Sequence, residues 1–200
     1  MDKKMGYLSD KEESDDVPVQ ERGPSFWNDV LKFAVIAALV VLPIRMYIIQ
    51  PFIVSGSSMF PTFESGDYLI VDEVSYRFEE PQRGDVIVFR YPLDPSKFFI
   101  KRIVGLPGET VEIKNSQVLI EKTPSAQKVV LDEPYIDVKT SSIDPVKLKE
   151  TEYFVLGDNR EASSDSRVWG VLDQKFIIGR ALIRLLPISQ AEAFPGKVEQ

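Results

Sequence analysis

Two short segments carry the side chains best suited to chemistry, a serine-rich turn and an apolar stretch with a central lysine. Residues 55–62 read SGSSMFPT and include Ser58, and residues 98–108 read FFIKRIVGLPG and include Lys101. The chain has no histidine and no cysteine, which excludes a Ser-His-Asp triad, a thiolate nucleophile and zinc ligation by His or Cys. Acid–base chemistry must therefore come from Lys, Asp, Glu, Tyr or a terminus, and a serine with a lysine base is the natural pair.

Lys101 can act as a base only if its surroundings lower its pKa. If residues 98–104 form a strand, Lys101 shares one face with Phe99 and Ile103, whereas Arg102 lies on the other face. One of the two cations is then expected to point into an apolar environment. Burial would lower a lysine pKa from about 10.4 by several units and leave much of the amine neutral near pH 7. The alternative is an edge strand with Lys101 in water, where most lysines lie.

A third segment, residues 157–170 (GDNREASSDSRVWG), is rich in turn formers and hydrogen-bonding side chains. It predicts a surface turn at 157–159. The functional interpretation adds a supporting role, in which Ser163 orients the amine of Lys101 and Asp165 pairs with Arg167. Residues 55–62, taken alone, are better explained as a Ser/Gly linker, but such a linker does not usually run directly into Met-Phe-Pro and a strand.

Most of the remaining chain has the composition of β-strands. Strands are predicted at 67–71, 85–91, 98–104, 110–113, 118–121, 153–156 and 176–186, with a hairpin loop at 114–117. Residues 122–149 are polar and contain three prolines, which predicts an insertion or a long excursion. The domain organisation is therefore a β-rich domain over 51–189 and a loose tail over 190–200.

The N-terminal quarter differs in character. Residues 1–24 are mostly acidic and predict a flexible tail, and residues 25–50 predict a single-pass transmembrane anchor. The apolar run 30–49 is interrupted by Lys32, Pro43 and Arg45, and twenty helical residues span roughly 30 Å. A buried core helix and a cleaved signal peptide are the alternatives, although a signal peptide should begin with a short basic segment. The net charge of -7 argues against a nucleic-acid partner.

The three segments, in this order, resemble the sequence boxes of the type I signal peptidases, the bacterial leader peptidases. Residues 58–62 (SMFPT) are similar to the nucleophile box and residues 101–108 (KRIVGLPG) to the lysine box. Residues 157–160 (GDNR), followed by Ser163, Asp165 and Arg167, are similar to the last box, and residues 83–86 (RGDV) to the strand between the first two. The resemblance extends from about residue 26 to residue 186.

This resemblance implies a mainly β fold, with an antiparallel catalytic domain on the extracytoplasmic side of the cell membrane. It implies a serine endopeptidase that removes signal peptides from exported preproteins, with Ser58 as nucleophile, Lys101 as general base and neither metal nor cofactor. The substrates would carry small residues at positions -1 and -3. Some members have a serine two residues before the nucleophile that donates to the oxyanion. Gly56 occupies that position here, so the backbone N–H of Ser58 would be the main donor.

The same matching assigns the small substrate pocket to Met59, Phe99 and Ile100, beside Gly56. The tether between anchor and nucleophile is short, because eight residues lead from Gln50 to Ser58 and reach at most roughly 26 Å. If residues 30–49 span the lipid bilayer, Ser58 must therefore lie near its surface. Two other functions remain open: a self-cleaving Ser-Lys protease of the repressor type, and a membrane-tethered β-domain that binds a partner without chemistry.

Overall fold

The computed structural model describes residues 26–47, 49–123, 126–136 and 138–197. The chain divides into two compact units, residues 1–40 and 41–200. The predicted acidic tail at 1–24 lies outside the described residues, as do the last three residues of the predicted C-terminal tail.

Helix α1 (Phe26–Tyr47) occupies most of the segment predicted as an anchor. Its described apolar side chains are strongly exposed, among them Trp27 and Phe33, each 74% exposed, and Leu39 at 69%. Across the part of the chain that the structure describes, no helix has the length together with the apolar character needed to cross a lipid bilayer. The structure therefore confirms a helix in this segment, and a transmembrane span stays a prediction.

Two antiparallel sheets make up most of the remaining described chain. A short helix, α2 (Ser166–Trp169), lies between the ninth and tenth strands in chain order. The strands are β1 (Ile49–Ile53), β2 (Tyr68–Asp72), β3 (Val86–Tyr91), β4 (Asp94–Gly105), β5 (Thr110–Lys114), β6 (Gln117–Glu121), β7 (Val129–Val130), β8 (Ile143–Lys147), β9 (Glu152–Leu156), β10 (Leu172–Asp173), β11 (Ile177–Leu186) and β12 (Glu192–Ala193). The first sheet has the order β1-β2-β11-β3-β4-β9-β10, with β12 paired to β11, and the second has the order β7-β6-β5-β8. The predicted mainly β, antiparallel fold is confirmed.

The pairing of β4 with its two neighbours determines which segments meet. Lys101 in β4 pairs with Ile87 of β3, and Arg102 pairs with Leu156, the last residue of β9. The segment that follows β9 therefore begins beside Lys101. The segment that follows β1 contains Ser58, and its Met59 is fully buried in a cluster with Val54, Phe63, Leu69, Val86 and Ala181.

Two parts of the chain contain strands that the sequence did not predict. Residues 122–149, predicted as an insertion, contain β7 and β8, which are the two edge strands of the second sheet. Residues 190–200, predicted as a loose tail, include β12 paired to β11. The hairpin loop at 114–117 was predicted two residues too long. Asn115 and Ser116 both have positive φ, at 51° and 63°, as a two-residue type I′ turn requires.

Candidate active site

Ser58 and Lys101 lie within hydrogen-bond distance of each other. The Nζ atom of Lys101 is 2.6 Å from Oγ of Ser58 and 2.8 Å from the carbonyl oxygen of Ile100. Lys101 is 3% exposed, and its amine lies 5.4 Å from the centroid of the Phe99 ring. The alternative of an edge-strand lysine in water is therefore wrong, since β4 is an interior strand and the amine is buried.

Burial lowers the pKa of Lys101 to about 8, because the ammonium form loses most of its hydration. The carboxylates of Asp165 and Asp158 act in the opposite direction and favour the charged form. An amine with this pKa is neutral in roughly a tenth of the molecules at pH 7 and in half of them at pH 8. The neutral amine has a lone pair that can accept the proton of the Ser58 hydroxyl.

The loop after β9 holds the backbone around Ser58 through hydrogen bonds. The N–H of Asn159 donates to the carbonyl of Ser58 at 3.0 Å, and the Asn159 side-chain amide donates to the carbonyl of Ser57 at 3.1 Å. A Cβ atom on Gly157 would lie 2.4 Å from the carbonyl oxygen of Ser58 and 2.2 Å from Oγ of Ser163. Only glycine permits this close approach of the two loops.

Arg102, next to Lys101 in sequence but on the other face of β4, is fully buried and bound to Asp158. Its Nε and Nη2 atoms donate to the two carboxylate oxygens of Asp158 at 2.9 and 2.6 Å. Thr62, four residues after Ser58, donates to the same carboxylate at 2.5 Å. Sequence reasoning left Arg102 and Asp158 out of the site. Their signal was present, because an arginine inside an apolar strand requires a buried anion.

The predicted pairing of Asp165 with Arg167 is present, with Nη2 2.8 Å from Oδ2. Asp165 also accepts the N–H of Gly157 at 3.1 Å, so this pair holds the loop that contacts Ser58. The predicted contact from Ser163 to Lys101 is not formed. Oγ of Ser163 is buried and has no hydrogen-bond partner within the described chain, whereas Lys101 donates to the carbonyl of Ile100.

An open cleft of about 630 Å³ reaches Ser58 and Lys101. Gly56, Phe99 and Ile100 line it, as predicted, and so do Ala162 and Ser164, which the sequence did not identify. Met59 is not among the lining residues. Its side chain is 1% exposed and packs in the core, and its role in a substrate pocket stays a prediction.

A serine hydroxyl beside a buried lysine amine, at an open cleft of an antiparallel β domain, is the site architecture of a serine peptidase with a lysine base. The family described as "Signal peptidase, peptidase S26" matches residues 27–186. The chain is 38% identical to a probable signal peptidase I-1 from Synechocystis sp. over 84% of this chain and 88% of the relative. It is 36% identical to signal peptidase I S from Bacillus subtilis over 80% of this chain and 89% of the relative. A crystal structure of a signal peptidase I from Enterococcus faecalis, 33% identical, covers 51% of this chain and 97% of its own at a TM-score of 0.44.

The chain therefore belongs to the signal peptidase family, peptidase S26, and it is a peptidase of that family.

The buried amine should make the folded protein less stable at neutral than at alkaline pH. The pKa of Lys101 is lower in the folded state, about 8, than in the unfolded chain, so the unfolded chain binds the extra proton. The resulting destabilisation is complete below pH 8, amounts to about 3 kcal/mol and disappears as pH rises toward 10.5.

We expect Lys101→Met to raise the free energy of unfolding at pH 7 by about 1–3 kcal/mol, less than the full value because two hydrogen bonds are lost. Urea unfolding of both proteins from pH 7 to pH 10.5 measures this gain, which should shrink with rising pH. A gain independent of pH would contradict the assignment.

Proposed function

We propose that this peptidase cleaves N-terminal signal peptides from exported preproteins, with Ser58 as the nucleophile and Lys101 as the general base. The observation that carries the proposal is the 2.6 Å separation of Lys101 Nζ from Ser58 Oγ, with the amine buried. The relatives' names support signal peptides as substrates. A domain that only binds a partner would gain nothing from a buried amine that lowers the stability of its fold.

In the acylation step, Oγ of Ser58 attacks the carbonyl carbon of the scissile peptide bond and transfers its proton to Nζ of Lys101. The new C–O bond gives a tetrahedral intermediate with a negative oxygen. When that intermediate collapses, the C–N bond breaks and the ammonium of Lys101 gives its proton to the leaving amine. The signal peptide remains as an ester on Ser58, and Lys101 is neutral again.

Deacylation repeats the same proton transfers with water. Lys101 takes a proton from a water molecule, the hydroxide attacks the ester carbon, and the proton returns to Oγ as the ester bond breaks. In both steps the backbone N–H of Ser58 is the proposed donor to the negative oxygen. Gly56 contributes no side-chain donor, so the position of this N–H depends on the two bonds from Asn159 that hold the loop.

The cleft offers a rationale for the proposed preference for small residues at positions -1 and -3. Its walls near Ser58 include the large side chains of Phe99 and Ile100, whereas Gly56, Ala162 and Ser164 leave the remaining space. A small side chain at -1 would fit beside Phe99 and Ile100 without displacing them, whereas a larger one would require these side chains to move.

Replacing either member of the pair should abolish cleavage. We expect Ser58→Ala and Lys101→Ala each to lower kcat for a purified preprotein in detergent by at least about 10³-fold, because acylation loses its nucleophile or its proton acceptor. Ser116→Ala, in the exposed turn between β5 and β6, and Lys114→Ala, at the exposed end of β5, are matched controls that should keep full activity. Normal cleavage by Lys101→Ala would rule out the mechanism.

The pH dependence should report the amine of Lys101. Since the neutral form is the base and its pKa is about 8, kcat/KM should fall about tenfold per pH unit below pH 8 and level off above it. A substrate without titratable side chains near the cleavage site removes competing effects. Lys101→Arg should be inactive at every pH tested, because a guanidinium stays charged. A wild-type rate that does not change between pH 6 and 9 would contradict the role of Lys101.

We further propose that helix α1 attaches the protein to a lipid bilayer, with the catalytic unit on the extracytoplasmic side. The support is the exposed apolar surface of α1, which a folded chain in water rarely leaves uncovered.

A single charge in α1 should weaken this attachment. Ile36 is 58% exposed, and we expect Ile36→Lys to lower partitioning of the full chain onto phospholipid vesicles by about 10- to 100-fold. Ile188, 80% exposed in the catalytic unit, provides the control Ile188→Lys, which should partition like the wild type. Equal partitioning of Ile36→Lys and wild type in a vesicle sedimentation assay would contradict the role of α1.

A further inference from the structure

Glu133 forms a buried ion pair with the loop that follows β9, although it lies in the segment between β7 and β8. Its Oε1 atom is 2.5 Å from Nη2 of Arg160, and its side chain is 9% exposed. The other Nη of Arg160 donates to Oε2 of Glu133 at 3.3 Å and to the hydroxyl of Thr140 at 2.9 Å. The pair is therefore a fork of donors on one carboxylate, a geometry that fixes direction as well as distance.

Arg160 transmits this contact to the nucleophile. Its Nε atom donates to the carbonyl of Gly157 at 3.0 Å, so the guanidinium spans the loop from residue 157 to residue 160. Within that span, Asn159 donates to the carbonyls of Ser57 and Ser58. A shift of the guanidinium would move the groups that hold Ser58 against Lys101.

A second connection runs through Tyr135, two residues after Glu133. Its hydroxyl donates to Oε1 of Glu133 at 3.0 Å, and its ring lies 3.9 Å from the guanidinium carbon of Arg102. Arg102 in turn holds Asp158, the residue before Asn159. Glu133 thus contacts one side of the loop directly and the other side through an aromatic ring on a buried arginine.

From these contacts we propose that Glu133 is a positioning residue for the reaction, which acts through Arg160 on the geometry of Ser58. The proposal rests on the proposed function, since it takes Ser58 as the nucleophile. Glu133 does not line the cleft, so substrate binding should not depend on it. Displacement of a nucleophile by a fraction of an ångström, by contrast, slows the chemical step strongly.

The chain offers a matched control for the test. Glu109 forms an ion pair with Arg83 at the same distance, 2.5 Å, and its side chain is also 9% exposed. That pair binds the carbonyl of Val104 and the N–H of Leu106 and forms no hydrogen bond with the loop at 157–160 within the described chain. Glu133→Gln and Glu109→Gln each remove one buried negative charge of similar setting while they keep the shape of the side chain.

We expect Glu133→Gln to lower kcat for preprotein cleavage about tenfold with KM changed less than about twofold. Glu109→Gln should lower stability to urea by about as much as Glu133→Gln does. It should leave kcat per folded molecule at the wild-type value. The folded fraction of each variant, from circular dichroism in the assay buffer, corrects the rates. Rescue by Glu133→Asp, which restores the charge on a shorter side chain, should be partial.

Three outcomes are distinguishable. A kcat loss in Glu133→Gln alone supports the positioning role. Equal kcat values in the two Gln variants overturn it, because Glu133 would then only stabilise the fold. Wild-type cleavage that persists in Ser58→Ala would instead overturn the proposed function, on which the inference depends.

Discussion

Desolvation of the Lys101 amine is the constraint on which the rest of the site depends. A lysine in water is an ammonium ion and cannot accept a proton at neutral pH, whereas the buried amine has its pKa lowered to about 8. The fold obtains this by placing Lys101 in an interior strand, between β3 and β9, with the Phe99 ring nearby. The site is therefore built at a cost to stability, as functional sites commonly are.

The two buried cations of β4, Lys101 and Arg102, differ in their hydrogen-bond partners. Both cations are buried and adjacent in β4. Arg102 binds the carboxylate of Asp158 in bidentate geometry, whereas the hydrogen-bond partners of Lys101 among the described residues, Ser58 and Ile100, are neutral groups. A carboxylate bound directly to Lys101 would raise its pKa and remove the base. The alternation of a strand separates the two environments, because neighbouring residues point to opposite faces.

The sequence predicted the mainly β fold and the pairing of Ser58 with Lys101, since absent histidines and strand alternation depend on residue types alone. It did not predict the supporting contacts. Ser163 was expected to contact Lys101, but the amine donates to the backbone carbonyl of Ile100. Every residue has a backbone carbonyl, so residue types do not indicate which one accepts a hydrogen bond. Met59 was expected in the cleft, but its side chain lies in the hydrophobic core. An apolar residue suits a cleft wall and a core equally well, so the sequence did not distinguish them.

The segment at 131–141 was the least predictable part, for a physical reason. Its polar residues and its proline, Pro134, are typical of a solvated excursion, and the same composition also suits a segment that pairs with buried arginines. Only the residues that this segment contacts distinguish a solvated segment from one that pairs with arginines. The partner of Glu133 is Arg160, which is 27 positions away in the sequence. The antiparallel neighbours β4 and β9 bring Arg102 and the residues after Leu156 to one place, and the two buried guanidinium groups there require compensation that neither strand supplies in full. Asp158 satisfies one of them and Glu133 the other. The conformation of the loop at 157–160, which contacts Ser58, therefore depends on a charge from a segment whose sequence does not indicate a site.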